Sequence, residues 1–143
     1  MILDGKVVQE ATYPHPIERV WLALVDSEEL AEWLMPNDFL PILGRRFTMS
    51  CGPLGLLEGE IIEIDAPRRL AYRWTGGFGA TLVTYTLTPV TGGTHLRVEH
   101  EGWTDGMSEV REMFESGWTE KLTDDLPRVL SSAATEDETE SIG

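Results

Sequence analysis

Three histidines (His15, His95 and His100), one cysteine (Cys51) and several strand carboxylates are the residues whose chemistry could reach beyond packing. The histidine spacings match no zinc signature, and no Asp or Glu completes one. Cys51 shares strand parity with Phe47 and Met49, which reads as a buried inert thiol rather than a nucleophile. His100 alternates with Leu96 and Val98 on an apolar strand face. There it is either a polar contact or general base facing a cavity, or a ring satisfied by a backbone carbonyl. No Ser or Cys nucleophile and no carboxylate shares an evident motif with it. Glu58 and Glu60 have one strand parity and Glu63 the other; surface-facing acids account for all three. Glu10 stays open: turned inward it needs a partner such as Arg73 or Tyr72, because an unpaired buried charge is very costly. The pairs Arg45-Arg46 and Arg68-Arg69 stand at strand ends and suit either an anionic ligand or surface carboxylates. "GPLG" and "GGFG" open no helix after a strand, so they read as turns rather than phosphate cradles.

That leaves the large rings. Trp21, Trp33, Trp74, Trp103, Trp118, Tyr72, Tyr85, Phe78 and Phe114 are many for one small sheet. Trp and Tyr bring an N–H or O–H to an otherwise apolar setting. Apolar walls with a few polar tips are what small-molecule sites are made of, and a packed core uses the same residues.

The elements that must position these rings are legible from period. "KVVQEATY" is a strand that ends at "PHP". Pro16 then suits a helix start, and Ile17, Val20, Trp21, Leu24 and Val25 form one apolar stripe. "DSEE" begins a second short helix, with Asp26 or Ser27 as cap and Leu30, Trp33 and Leu34 as its buried side. Five further strands follow: "RRFTMSC", "LLEGEIIEID", "LAYRWTGG", "ATLVTYTLTPV" and "THLRVEHEGW". Phe47, Met49 and Cys51 share a face, as do Leu70, Tyr72 and Trp74; Val83, Tyr85 and Leu87; and Leu96, Val98 and His100. Short turns between consecutive strands make neighbours antiparallel. From about Ser108, apolar steps of three and four run through Val110, Met113, Phe114, Trp118, Leu122, Leu126, Val129 and Leu130, one long amphipathic helix. Gly117 beside this stripe predicts close backbone approach, and Pro127 predicts a kink or an early end near Thr123. The order defines an α+β domain with helices on one face of a curved sheet.

The chain has 143 residues, 41% hydrophobic, enough for one domain with a real core. A single cysteine excludes an internal disulfide. The formal charge is −14, and the body stays at −10 without the four acids between 132 and 143. Such a field disfavours nucleic acid and anionic membrane as partners. No apolar run approaches the roughly 18 residues of a membrane helix, and "MILDGKVVQE" has no signal-peptide pattern. The expectation is a soluble cytoplasmic protein with one domain over 1–131 and a disordered acidic tail over 132–143.

"PHPIERVWLALVDSEELAEWL", "LGRRFTM", "LEGEIIEIDAPRRLAYRW", "VTYTLTPVTGGTHLRVEHEGW" and "GWTEKLTDDL", in that order, resemble the homologues of the heat-shock-protein-90 ATPase activator in their C-terminal domain. These belong to the START-like, or SRPBCC, helix-grip superfamily. The resemblance implies a six-stranded antiparallel sheet wrapped around the C-terminal helix, closed by two small helices. It implies no universal catalytic residue; neither a cofactor nor a metal is expected. It also implies an elongated cavity between sheet and long helix that takes a small hydrophobic or aromatic molecule. Tyr72, Trp74, Tyr85, His100, Met113, Phe114, Trp118 and Leu122 are its expected lining, with polar contacts from Tyr72, Tyr85 and His100. A chaperone-interaction module is the second expectation and needs an exposed docking patch. A polyketide cyclase- or dehydratase-like enzyme is the third; it needs Glu10, Arg73 and His100 to converge in one cavity.

Overall fold

Alternation of apolar and polar residues resolves into six strands in the computed structural model, which describes residues 6–52, 55–77 and 79–131. They are β1 (Val7–Tyr13), β2 (Arg46–Ser50), β3 (Leu56–Asp65), β4 (Arg69–Gly76), β5 (Gly79–Val90) and β6 (Gly93–Glu101). The sheet order is β1-β6-β5-β4-β3-β2, antiparallel at every pairing. β2 to β6 form a meander, and β1 returns to pair with β6. Between β1 and β2, which are the two edges, the chain crosses as α1 (Ile17–Val25) and α2 (Ser27–Trp33).

One face of the sheet carries the core. Leu57, Gly59, Ile61, Leu70, Tyr72, Trp74, Val83, Tyr85, Leu87, Leu96, Val98 and His100 are all buried there. Against it lies a helix that begins as α3 (Ser108–Glu120), opens into a wider turn over Lys121–Asp125, and continues over 126–131. Phe114, Trp118, Leu122, Leu126, Val129 and Leu130 face the sheet. This is the helix-grip arrangement. Asp26 caps α2, its carboxylate accepting from the Glu29 N–H at 3.0 Å, whereas the Ser27 hydroxyl donates to Asn37.

Four particulars depart from the sequence expectation or decide what it left open. Pro127 does not end the helix. The widened turn just before it, with the Leu126 N–H on the Lys121 carbonyl, admits a residue that lacks an N–H and crowds the preceding turn. Gly117 meets no backbone: a Cβ there would have nothing within 4 Å. The close approach is at Gly59 instead, where a Cβ would stand 2.2 Å from the Phe47 ring. Glu63 lies on the outer face with Glu58 and Glu60, because a bulge between Ile61 and Glu63 absorbs one residue and reverses parity. The expected acidic tail over 132–143, Phe78 and part of the "GPLG" turn lie outside the described residues. Among the described residues, no helix is long and apolar enough to cross a membrane.

Candidate functional site

Strand parity and helix period together bring most of the expected lining into one place. Tyr72 and Trp74 come from β4, Tyr85 from β5, His100 from β6, and Phe114 and Trp118 from α3. Their rings form a continuous layer. Trp74 stacks on Trp118 with centroids 6.0 Å apart and 19° between planes. Trp74 also meets Tyr72 at 5.4 Å, His100 at 5.6 Å and Phe114 at 5.9 Å. Phe39 and Phe47 extend the layer edge-on to Tyr72. Offset and edge-to-face contacts of this kind favour the pairs beyond simple burial.

Leu122 is buried further along the helix, where its carbonyl accepts from the Tyr13 hydroxyl at 2.6 Å. Met113 does not line the site. It is 48% exposed, because it sits about 100° round the helix from Phe114 and past the edge of the buried stripe.

The polar tips are nearly all spoken for. Trp118 Nε1–H can only donate, so His100 Nδ1, 3.1 Å away, must be the acceptor. The proton of the neutral ring is then on Nε2, which donates to Thr81 Oγ1 at 2.8 Å. Thr81 in turn donates to the Trp74 carbonyl at 3.3 Å. Trp103 Nε1–H donates to the His100 carbonyl at 2.8 Å, anchoring the chain where β6 hands over to the helix. Gly102, at φ +101°, makes that break. Burial pushes the His100 ring down to about 3, so it is neutral at physiological pH and its one lone pair is occupied. The Tyr72 and Tyr85 hydroxyls bond each other, and burial raises both well above the usual phenol range. Trp74 Nε1 is the exception: fully buried, it has no hydrogen-bond partner among the described residues.

The three groups required for acid–base chemistry do not converge. Glu10 is on the outer face, paired with His95 at 2.8 Å and Arg97 at 3.4 Å, with its carboxyl held low chiefly by the His95 hydrogen bond. Arg73 is also outside, 3.5 Å from Glu60. Of the basic pairs, Arg69 meets Glu63 at 2.9 Å. Cys51 is partly buried, and burial raises its thiol above the usual range, consistent with an inert side chain.

Two spaces stand out among the described residues. The larger, about 330 Å³, is an open groove on the outer face of β2–β4 among Asp38, Arg46, Glu58, Glu60 and Arg73. Its charges face water, where such pairs attract weakly. The smaller, about 20 Å³, lies between sheet, α2 and the long helix, bounded by Leu34, Met35, Trp74, Phe114, Gly117, Trp118 and Lys121. Across its rim Lys121 Nζ donates to the Leu34 carbonyl at 2.9 Å. Sequence reasoning missed Leu34, Met35 and Lys121 as neighbours of the site. It also missed Thr81, although Thr81 has the same parity as Val83 and Tyr85.

A six-stranded sheet gripping a C-terminal helix over a ring-lined concave face places the molecule among the START-like helix-grip proteins. More narrowly, the chain belongs to the family described as activator of Hsp90 ATPase homolog 1-like proteins, whose profile matches residues 14–131. A Mesorhizobium loti protein of known structure is 34% identical, with a TM-score of 0.84 over 89% of this chain and 97% of that one. A Bacillus halodurans protein is 26% identical, with a TM-score of 0.79 over 91% and 99%. DynU16, a protein of the dynemicin biosynthetic locus, shares the fold at 24% identity and a TM-score of 0.77, over 91% of this chain and 48% of that one. No curated protein is significantly similar to the chain.

Proposed function

We propose that the protein binds a small hydrophobic or aromatic molecule between the sheet and the long helix, as carrier, sensor or sequestering protein. The observation that carries this reading is the aromatic layer of Tyr72, Trp74, Tyr85, His100, Phe114 and Trp118, bordered by a gap that Gly117 helps to line. Packing alone would favour filling such a gap. At about 20 Å³ the closed gap holds no more than one water-sized particle, so a guest must part α2 from the long helix. Among the described residues one side-chain hydrogen bond, Lys121 to Leu34, crosses that rim.

Thermal-shift screening with flat apolar compounds tests the reading, with native mass spectrometry of the purified protein beside it. A binder at about a hundredfold excess over its Kd raises the melting temperature by about 5 °C or more. Gly117→Leu, which sets a bulky side chain at the border of the gap, is expected to reduce the rise. If no compound moves the melting temperature and none co-purifies, the reading fails.

A chaperone-docking role is the second reading. One observation favours it: Leu40, Ile42 and Leu43 stand 43%, 55% and 63% exposed on the segment between α2 and β2. Pull-down with the chaperone and an ATPase assay decide it, and a null result in both removes it.

A further inference from the structure

We infer that Trp74 Nε1 is the polar anchor for the guest, and that the site therefore selects flat apolar molecules bearing a neutral acceptor oxygen, such as a carbonyl. This rests on the reading of the gap as a ligand site. Within the aromatic layer each other ring N–H donor already has its acceptor. Trp118 donates to His100 and His100 to Thr81; Tyr72 and Tyr85 share one hydrogen bond, and neither lines the gap. Trp103 and Trp33, in the surrounding core, donate to the His100 and Ala23 carbonyls. Among these N–H donors Trp74 Nε1 is the one left buried and unpaired; its ring is a wall of the gap, and its N–H edge stays covered until the rim parts.

A buried donor without an acceptor is costly, and native proteins leave few of them. The side chains around the gap offer Trp74 nothing to donate to: Leu34, Met35, Phe114 and Trp118 bear no competent acceptor, and the Lys121 ammonium is itself a donor. The missing partner is therefore supplied by whatever enters. A carboxylate at this depth would lose its hydration against aromatic walls, so the favoured acceptor is uncharged. Selectivity follows from the difference between a guest that pairs this N–H and one that leaves it bare.

Fluorene and 9-fluorenone test this directly, since they share one ring frame and differ only in a methylene against a carbonyl. Dissociation constants come from tryptophan-fluorescence titration. The Trp74 indole proton is followed by ¹H–¹⁵N correlation in the unaltered protein and assigned from through-space contacts. Fluorenone is expected to bind about tenfold more tightly than fluorene and to move the Trp74 indole proton downfield. Trp74→Phe is expected to cancel the preference, bringing the ratio of the two affinities from about ten to about one whatever its effect on binding as a whole. Equal affinities with an unmoved Trp74 resonance overturn the anchor and leave the ligand site standing. Failure of both compounds to bind overturns the anchor and the ligand reading together.

Discussion

His100 is bonded on both ring nitrogens and sealed by four aromatic rings, and that setting fixes its protonation state. Its folded pKa near 3 lies below the ordinary histidine value of 6.5, so between those values the unfolded chain binds the extra proton. Stability from keeping the ring neutral is complete above about pH 6.5 and is lost as pH falls toward 3, by up to about 1.4 kcal/mol per pH unit. His100→Gln offers Trp118 an acceptor and Thr81 a donor but cannot titrate. The stability of the native protein relative to this variant is therefore expected to decline from pH 7.5 to pH 5, as read by chemical denaturation. A difference independent of pH would refute the assignment.

Elements decide where glycine matters. Gly59 on β3 lies between Glu58 and Glu60, and Gly117 on α3 between Ser116 and Trp118; neither setting reveals which glycine is crowded. Gly59→Ala would drive a methyl into the Phe47 ring and through it against Tyr72, and should destabilise by about 1–3 kcal/mol. Gly117→Ala adds a methyl to open space inside a helix and should stabilise by up to about 1 kcal/mol. Urea midpoints at constant slope check both, and reversal of the two signs would contradict the packing described. The same scale explains Glu63 and Pro127. A one-residue bulge and a one-turn widening each cancel what strict period predicts. Neither leaves a compositional mark, because each is a response of the backbone to a neighbouring strand or ring.

For the molecule as a whole, a net charge of −14 dominates behaviour in solution. Self-repulsion destabilises a compact acidic chain, while its exposed ion pairs, such as Lys6–Glu99 and Arg69–Glu63, contribute little each. Raising NaCl from about 20 to about 200 mM shortens the screening length about threefold. The melting temperature is therefore expected to rise with salt; a fall would mean that the outer-face pairs outweigh the repulsion. The strand faces outside the β3 bulge, most of the helix stripe and the identity of the rings could be read from the chain alone, because periods of 2 and 3.6 residues and side-chain type are local properties. The aromatic layer of the candidate site was legible for the same reason. Only the tertiary structure decided that Met113 faces solvent, that Thr81 and Trp118 take the two nitrogens of His100, that Trp74 is left unpaired, and that the space between sheet and helix closes to about 20 Å³. Those outcomes depend on distances between β4, β5, β6, α2 and the long helix, segments far apart along the chain. A pattern within one segment carries no measure of such distances.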